Sequence, residues 1–233
     1  MGKVISIGKQ NFASLRENDC FYIDKSELIR EWWESQDDIT LITRPRRFGK
    51  TIGMSMLAYF FDIRKDSRKL FEDLKISRDI ELCQKWMNQY PTLFLSFKDV
   101  DGTTFENAFN FLKFIISEAC KQHVYLLDSD EIDEGDKLVF QKLKTCSASM
   151  MEIQSCILRI TNMLKSYYKK PVILLIDEYD VPIAKASSNG YYKEMLEIMK
   201  GLLSTALKDN SSLKFAVITG CLKIAKESIF TGT

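Results

Sequence analysis

Histidine is nearly absent. His123 is the only one in 233 residues. The six cysteines, Cys20, Cys83, Cys120, Cys146, Cys156 and Cys221, form no Cys-x-x-Cys pair. A structural zinc site draws four Cys or His ligands, usually with paired spacing, so little is left to build one. A Ser-His-Asp or Cys-His hydrolase would have to use His123, which closes an apolar helical stretch with no nucleophile motif beside it. Four prolines and 10 glycines are too few for a collagen-like or Pro-rich chain. No apolar run reaches the roughly 20 residues that span a bilayer, so no membrane association is expected. The opening Met1-Gly2-Lys3-Val4-Ile5-Ser6 has an early lysine but no apolar stretch after it, unlike a secretory signal. Gly2 with Ser6 meets only a short, minimal myristoylation pattern. Scattered cysteines without a secretion signal read as reduced thiols of a cytoplasmic protein. An excess of either charge is also missing. Thirty-three Lys+Arg stand against 32 Asp+Glu, a net +1. That excludes a wholly basic nucleic-acid coat but leaves room for a local basic patch.

What is present is the composition of a globular protein, 45% hydrophobic and 28% charged, long enough for a substantial core. Four short apolar runs read as strands: Ile39 to Thr43, Thr92 to Phe97, Val172 to Ile176 and Phe215 to Thr219. Several are continuously apolar rather than alternating, as in a parallel sheet covered on both faces. Helical periodicity fills the intervals at Lys50 to Phe61, Phe105 to Val124, Met150 to Tyr168 and Tyr191 to Leu207, with a further helix expected over Tyr22 to Trp33. Strands alternating with helices predict a three-layer α/β domain. Asp128 to Asp136 is strongly acidic. An EF-hand would need an oxygen ligand at Ile132 and glycine at Asp133, so the stretch reads as a solvated loop.

Two of the strands end in chemistry. After the first comes Arg44-Pro45-Arg46-Arg47-Phe48-Gly49-Lys50-Thr51, then a helix. A strand, loop and helix in that order wrap backbone N–H groups and the positive helix end around a phosphate. Gly49 lets the backbone approach, Lys50 would reach the β- and γ-phosphates, and Thr51 would hold Mg²⁺. The competing reading is an Arg-rich surface loop that binds acidic groups or nucleic acid. Val172 to Ile176 then runs into Asp177 and Glu178. Acids at the carboxyl end of a parallel strand face the ligand crevice. Asp177 there would serve the metal, and Glu178 would orient and deprotonate a water. Thr219 ends the fourth strand. It suits a contact to the γ-phosphate or its water, or is simply a β-branched strand residue.

These segments, with Leu95-Ser96-Phe97-Lys98-Asp99, Leu175 to Pro182, Thr219 to Phe230 and the opening Phe12 to Asn18 and Tyr22 to Ser26, resemble the AAA-ATPase-like proteins of bacteria. Those are P-loop ATPases usually fused to a C-terminal nuclease-like PD-(D/E)XK domain. The resemblance implies a three-layer P-loop NTPase fold of the AAA-like type with a mostly parallel sheet. It implies Mg-dependent ATP binding and hydrolysis, and it marks Arg44, in place of the usual first glycine, as a family feature. The implied nucleotide contacts are Arg44, Pro45, Arg46, Arg47, Phe48, Gly49, Lys50, Thr51 and Ile52. Thr51 and Asp177 fall to the metal, and Glu178, Lys50 and Thr219 to catalysis. By analogy with related ATPases, Phe21, Tyr22 and Ile23 would cradle the adenine. The family also has a fifth strand and a helical lid beyond the fourth. Residues 1–233 are therefore expected to be the N-terminal ATPase portion of something longer, or a truncated product, without a nuclease motif. Such a chain is expected to turn over slowly and to self-associate through its first strand. A nucleotide-dependent switch with little turnover is the alternative, and nucleic acid is a possible partner of an attached domain.

Overall fold

The computed structural model describes residues 8–45 and 47–221. Gly2, Ser6, Arg46 and the family-like stretch 222–230 lie outside them. The elements run α1 (Phe12–Glu17), α2 (Glu27–Ser35), β1 (Ile39–Thr43), α3 (Lys50–Phe61), α4 (Arg68–Phe71), α5 (Ile80–Trp86), β2 (Thr92–Ser96) and α6 (Phe105–Lys121). Then follow α7 (Glu134–Lys144), α8 (Met150–Gln154), α9 (Cys156–Tyr168), β3 (Val172–Asp177), α10 (Val181–Asn189), α11 (Tyr192–Leu207) and β4 (Leu213–Gly220). Short 3₁₀ turns occupy Lys75–Arg78 and Val124–Asp128.

The strands form a parallel sheet in the order β1-β4-β3-β2. Side chains of a strand alternate between faces, and here each face has its own core. Val172, Leu174, Ile176, Ala216 and Ile218 pack into one cluster with α6, α7, α9 and α11. Ile173, Leu175, Phe215 and Val217 pack into the other with α2 and α3. This two-sided covering is why β3 is apolar from Val172 through Ile176: all six of its residues are buried, and only the last, Asp177, is charged. The second cluster is strongly aromatic. Trp33 stacks on Phe61 and meets Phe215 edge-on, and the Trp32 indole donates to Thr40 Oγ1 at 3.0 Å, which fastens α2 to β1. No helix among the described residues is long and apolar enough to cross a membrane.

The helix expected over Phe105 to Val124 stops at Lys121, and three further boundaries differ from the periodicity for a local reason. The helix expected from Tyr22 begins at Glu27, because Asp24 Oδ1 accepts the Ser26 N–H at 2.8 Å and closes a side-chain turn instead. The expected Met150 to Tyr168 helix breaks at Ser155, whose hydroxyl bonds back to the Met151 carbonyl at 3.1 Å. The acidic stretch is a loop only in its first half. Asp133 caps α7 by accepting the N–H groups of Gly135 and Asp136, and Glu134 and Asp136 suit the positive end of that helix.

Candidate nucleotide site

The carboxyl ends of β1, β4 and β3 lie side by side, with Thr43 paired to Gly220 and Ile176 to Ile218. The chain leaves β1, passes through the loop and enters α3 at Lys50. Gly49 caps the helix with φ +78°, a left-handed conformation that costs any other residue strain. The loop is tied to the neighbouring strand by the Arg44 N–H, which donates to Gly220 O at 3.2 Å. Lys50 Nζ donates to the carbonyls of Arg44 and Pro45 at 2.8 and 3.0 Å and touches Cys221 Sγ at 3.4 Å. Its ammonium therefore lies against the start of the loop that precedes it.

Asp177 is fully buried, and two hydroxyls satisfy its carboxylate. Thr51 Oγ1 donates to Oδ2 at 2.8 Å, and Thr219 Oγ1 donates to Oδ1. The Thr219 hydroxyl also accepts the Glu178 N–H at 3.4 Å, and the Thr219 carbonyl accepts the Tyr179 N–H at 3.1 Å. Thr219 thus holds the Asp177-Glu178 turn from the adjacent strand. Glu178 takes φ +55°, an uncommon conformation for a residue with a side chain. Asp180 reaches across to accept the Cys221 N–H at 2.9 Å. Only glycine fits at 220, since a Cβ there would sit 2.6 Å from the Tyr179 ring and 2.7 Å from Asp180 Oδ1.

A cavity of about 670 Å³ opens beside this constellation, within the range of small-molecule sites. Arg44, Arg47, Phe48, Gly49, Lys50, Ile52 and Thr219 line it, together with Phe21, Tyr22 and Ile23. Phe21, Ile23 and Phe48 are exposed, while Tyr22 turns inward, packs edge-on against Phe12 and donates to Met56 Sδ. Burial raises the Tyr22 pKa, so it stays a neutral anchor for its two neighbours. Among the described residues no three of His, Cys, Asp and Glu cluster as a protein-only metal cage would need. A threonine hydroxyl and an aspartate 2.8 Å apart are instead the kind of donor set Mg²⁺ uses when phosphate and water complete its shell.

The structure brings Thr51, Asp177, Glu178 and Thr219 together and sets the ammonium of Lys50, the first residue of α3, against the adjoining loop. Sequence reasoning missed Lys9, Lys25 and Leu28, which line the cavity from ahead of β1, and the Asp180–Cys221 tie. The Asp-x-Ser spacing of Asp24 and Ser26, a turn signal, was the available clue to Lys25.

A parallel sheet with the phosphate-loop strand next to β4, and the acid-ended β3 beyond it, defines a three-layer P-loop NTPase-like fold. The chain belongs to the AAA-ATPase-like family, described as "Predicted AAA-ATPase", whose model matches residues 6–230. Membership implies nucleotide binding. A relative described as "Uncharacterized protein in vnfD 5'region", from Azotobacter chroococcum mcd 1, is 26% identical over 232 residues. That alignment takes in 99% of this chain but 39% of the relative, so the chain spans well under half of that protein's length. No solved structure matches the chain.

Proposed function

We propose that this chain binds ATP with Mg²⁺ and hydrolyses it, to power or regulate an attached or partner domain in the cytoplasm. The observation that carries the reading is the bonded series Thr51–Asp177–Thr219, set beside Gly49 and Lys50 at the lip of one cavity. Thr51 and Asp177 would hold Mg²⁺, which supplies charge neutralisation across the β- and γ-phosphates. The Gly49 turn and the N-terminus of α3 present backbone N–H groups to the phosphates. Lys50 neutralises charge that builds on the γ-phosphate oxygens. Glu178 orients a water in line with the γ-phosphorus and takes its proton as the new P–O bond forms and ADP leaves. Thr219 fixes both acids and stands where the γ-phosphate or its water would pass. Phe21 and Ile23, with Phe48, offer an apolar wall for the adenine.

Arg44 and Arg47 both line this cavity, which favours nucleotide over nucleic-acid backbone as what they meet. A nuclease-like attached domain, acting on nucleic acid, is proposed from the family resemblance. The outer side of β1 has no strand partner among the described residues, which supports self-association. Light scattering at two concentrations tests that point. Calorimetric titration with MgATP, followed by phosphate-release kinetics, tests the main reading. Tight binding with no phosphate release would identify a switch, and no binding would overturn the reading altogether.

A further inference from the structure

Asp24, Lys25 and Ser26 form the turn ahead of α2, and the two outer residues are pinned. Asp24 accepts the Ser26 N–H through Oδ1 and the Lys75 N–H through Oδ2, each at 2.8 Å. Ser26 is fully buried, and its hydroxyl accepts the Ile76 N–H at 3.1 Å. Both flanks of Lys25 are thereby fastened to the Lys75–Arg78 turn. Lys25 itself is exposed and reaches the phosphate loop. Its Nζ donates to Phe48 O at 3.4 Å and lies 3.5 Å from the position a Cβ on Gly49 would take. It lines the same cavity as Phe21, Ile23 and Lys50.

The two ammonium groups meet different ends of the loop, Lys50 at Arg44 and Pro45 and Lys25 at Phe48. Lys50 Nζ lies toward β4, against Cys221. Lys25 comes from the segment that carries Phe21 and Ile23, two residues beyond the apolar wall. A nucleotide with its base on that wall and its γ-phosphate near Thr219 would have its inner phosphates between them, on the part of the cavity lined by Gly49 and Lys25. A lysine ammonium carries three donors, and one long bond to a carbonyl leaves the others for a ligand. A compact point charge suits a phosphate oxygen.

We infer that Lys25 is a phosphate-binding residue of the nucleotide site, supplied from outside the phosphate loop and directed at the α- and β-phosphates. This rests on the ATP-binding reading above. Lys25→Met keeps the aliphatic stem and removes the charge. It should weaken MgADP and MgATP by the same factor, roughly 10–100-fold by calorimetry, since both ligands carry those two phosphates. Without nucleotide its melting temperature should stay within about 3 °C of the parent. Lys25→Gln can still donate to Phe48 O and should bind as poorly as Lys25→Met, while Lys25→Arg should keep most of the affinity. If Lys25→Met does not fold, the Gln and Arg pair carries the test. Parental affinity in the Gln variant, or a loss confined to MgATP, overturns the assignment while leaving ATP binding intact. A parent that binds neither nucleotide overturns the ATP reading itself, and this assignment with it.

Discussion

Thr51 Oγ1 donates to Asp177 Oδ2 at 2.8 Å across 126 residues of sequence. One residue opens the helix after β1 and the other closes β3, and β4 lies between those two strands in the sheet. Thr219, from that intervening β4, completes the group by donating to the other Asp177 oxygen.

That arrangement predicts a cost for removing the Thr219 hydroxyl. Thr219→Val keeps the shape but strips a buried carboxylate of a donor and the Glu178 N–H of its acceptor. Denaturant unfolding should show a loss of about 1–3 kcal/mol, and phosphate release should fall further than MgATP affinity. Thr219→Ser should restore most of both. Full activity in the valine variant would remove Thr219 from the site.

Lys50→Ala should reduce MgATP affinity roughly 10–100-fold in calorimetry, the scale of a lost charged hydrogen bond. Its present partners include two loop carbonyls, which water can satisfy after truncation. Thermal stability without nucleotide should therefore change little. Unaltered MgATP binding would show that the loop does not hold phosphate.

Glu178 separates stability from turnover. Glu178→Gln should retain MgATP binding and slow phosphate release by roughly 10²–10⁴, the usual contribution of a positioned base. Glu178→Gly should be as slow, since it lacks the carboxylate altogether, while relieving the backbone strain of φ +55°. Equal turnover by parent and Glu178→Gln would falsify the base assignment.

Acid should unfold the protein partly through His123. It is buried, and its pKa is lowered from the ordinary 6.5 to about 3, first by desolvation and then by the nearby Arg64 guanidinium, with Asp62 opposing. Arg64 Nη1 can only donate, so the Nδ1 it faces accepts, and the Tyr125 hydroxyl lies 3.0 Å from the same nitrogen. The unfolded chain takes up this proton below about pH 6.5, whereas the folded chain resists until about pH 3. Stability should fall as pH drops through that window, by on the order of a few kcal/mol in total. His123→Gln should flatten the slope measured by denaturant titration between those pH values.

Much of the framework was legible because it is written locally. β1 and α3 have the expected limits, since an apolar run and a 3.6-residue period each end at an abrupt change of chemistry around Arg44 and Asp62. Gly49, Lys50 and Thr51 are adjacent in sequence, and Asp177 and Glu178 follow directly on an apolar strand, so their pattern survives without coordinates. The helices α1, α4, α5, α7 and α10 were not placed, and α7 and α10 show why. α7 buries only Phe140 and Leu143, and α10 is a short helix with proline as its second residue, so neither carries much periodic signal. The remaining site groups were illegible for a different reason. Lys9 and Lys25 are brought to the cavity by packing of the segment before β1, and the Thr219–Asp177 and Asp180–Cys221 bonds each span more than 40 residues.

The two halves of the site are built on strands of unequal depth. β1 lies at the sheet edge with its first residue exposed and the other four only partly covered, whereas every residue of β3 is buried. Free energies of local opening follow such differences in burial. Backbone amides of β1 should exchange with solvent deuterium well before those of β3, and the phosphate loop should loosen with them. The acids are then a fixed floor and the loop a yielding wall, so a nucleotide can enter or leave without the core that carries Asp177 and Glu178 coming apart.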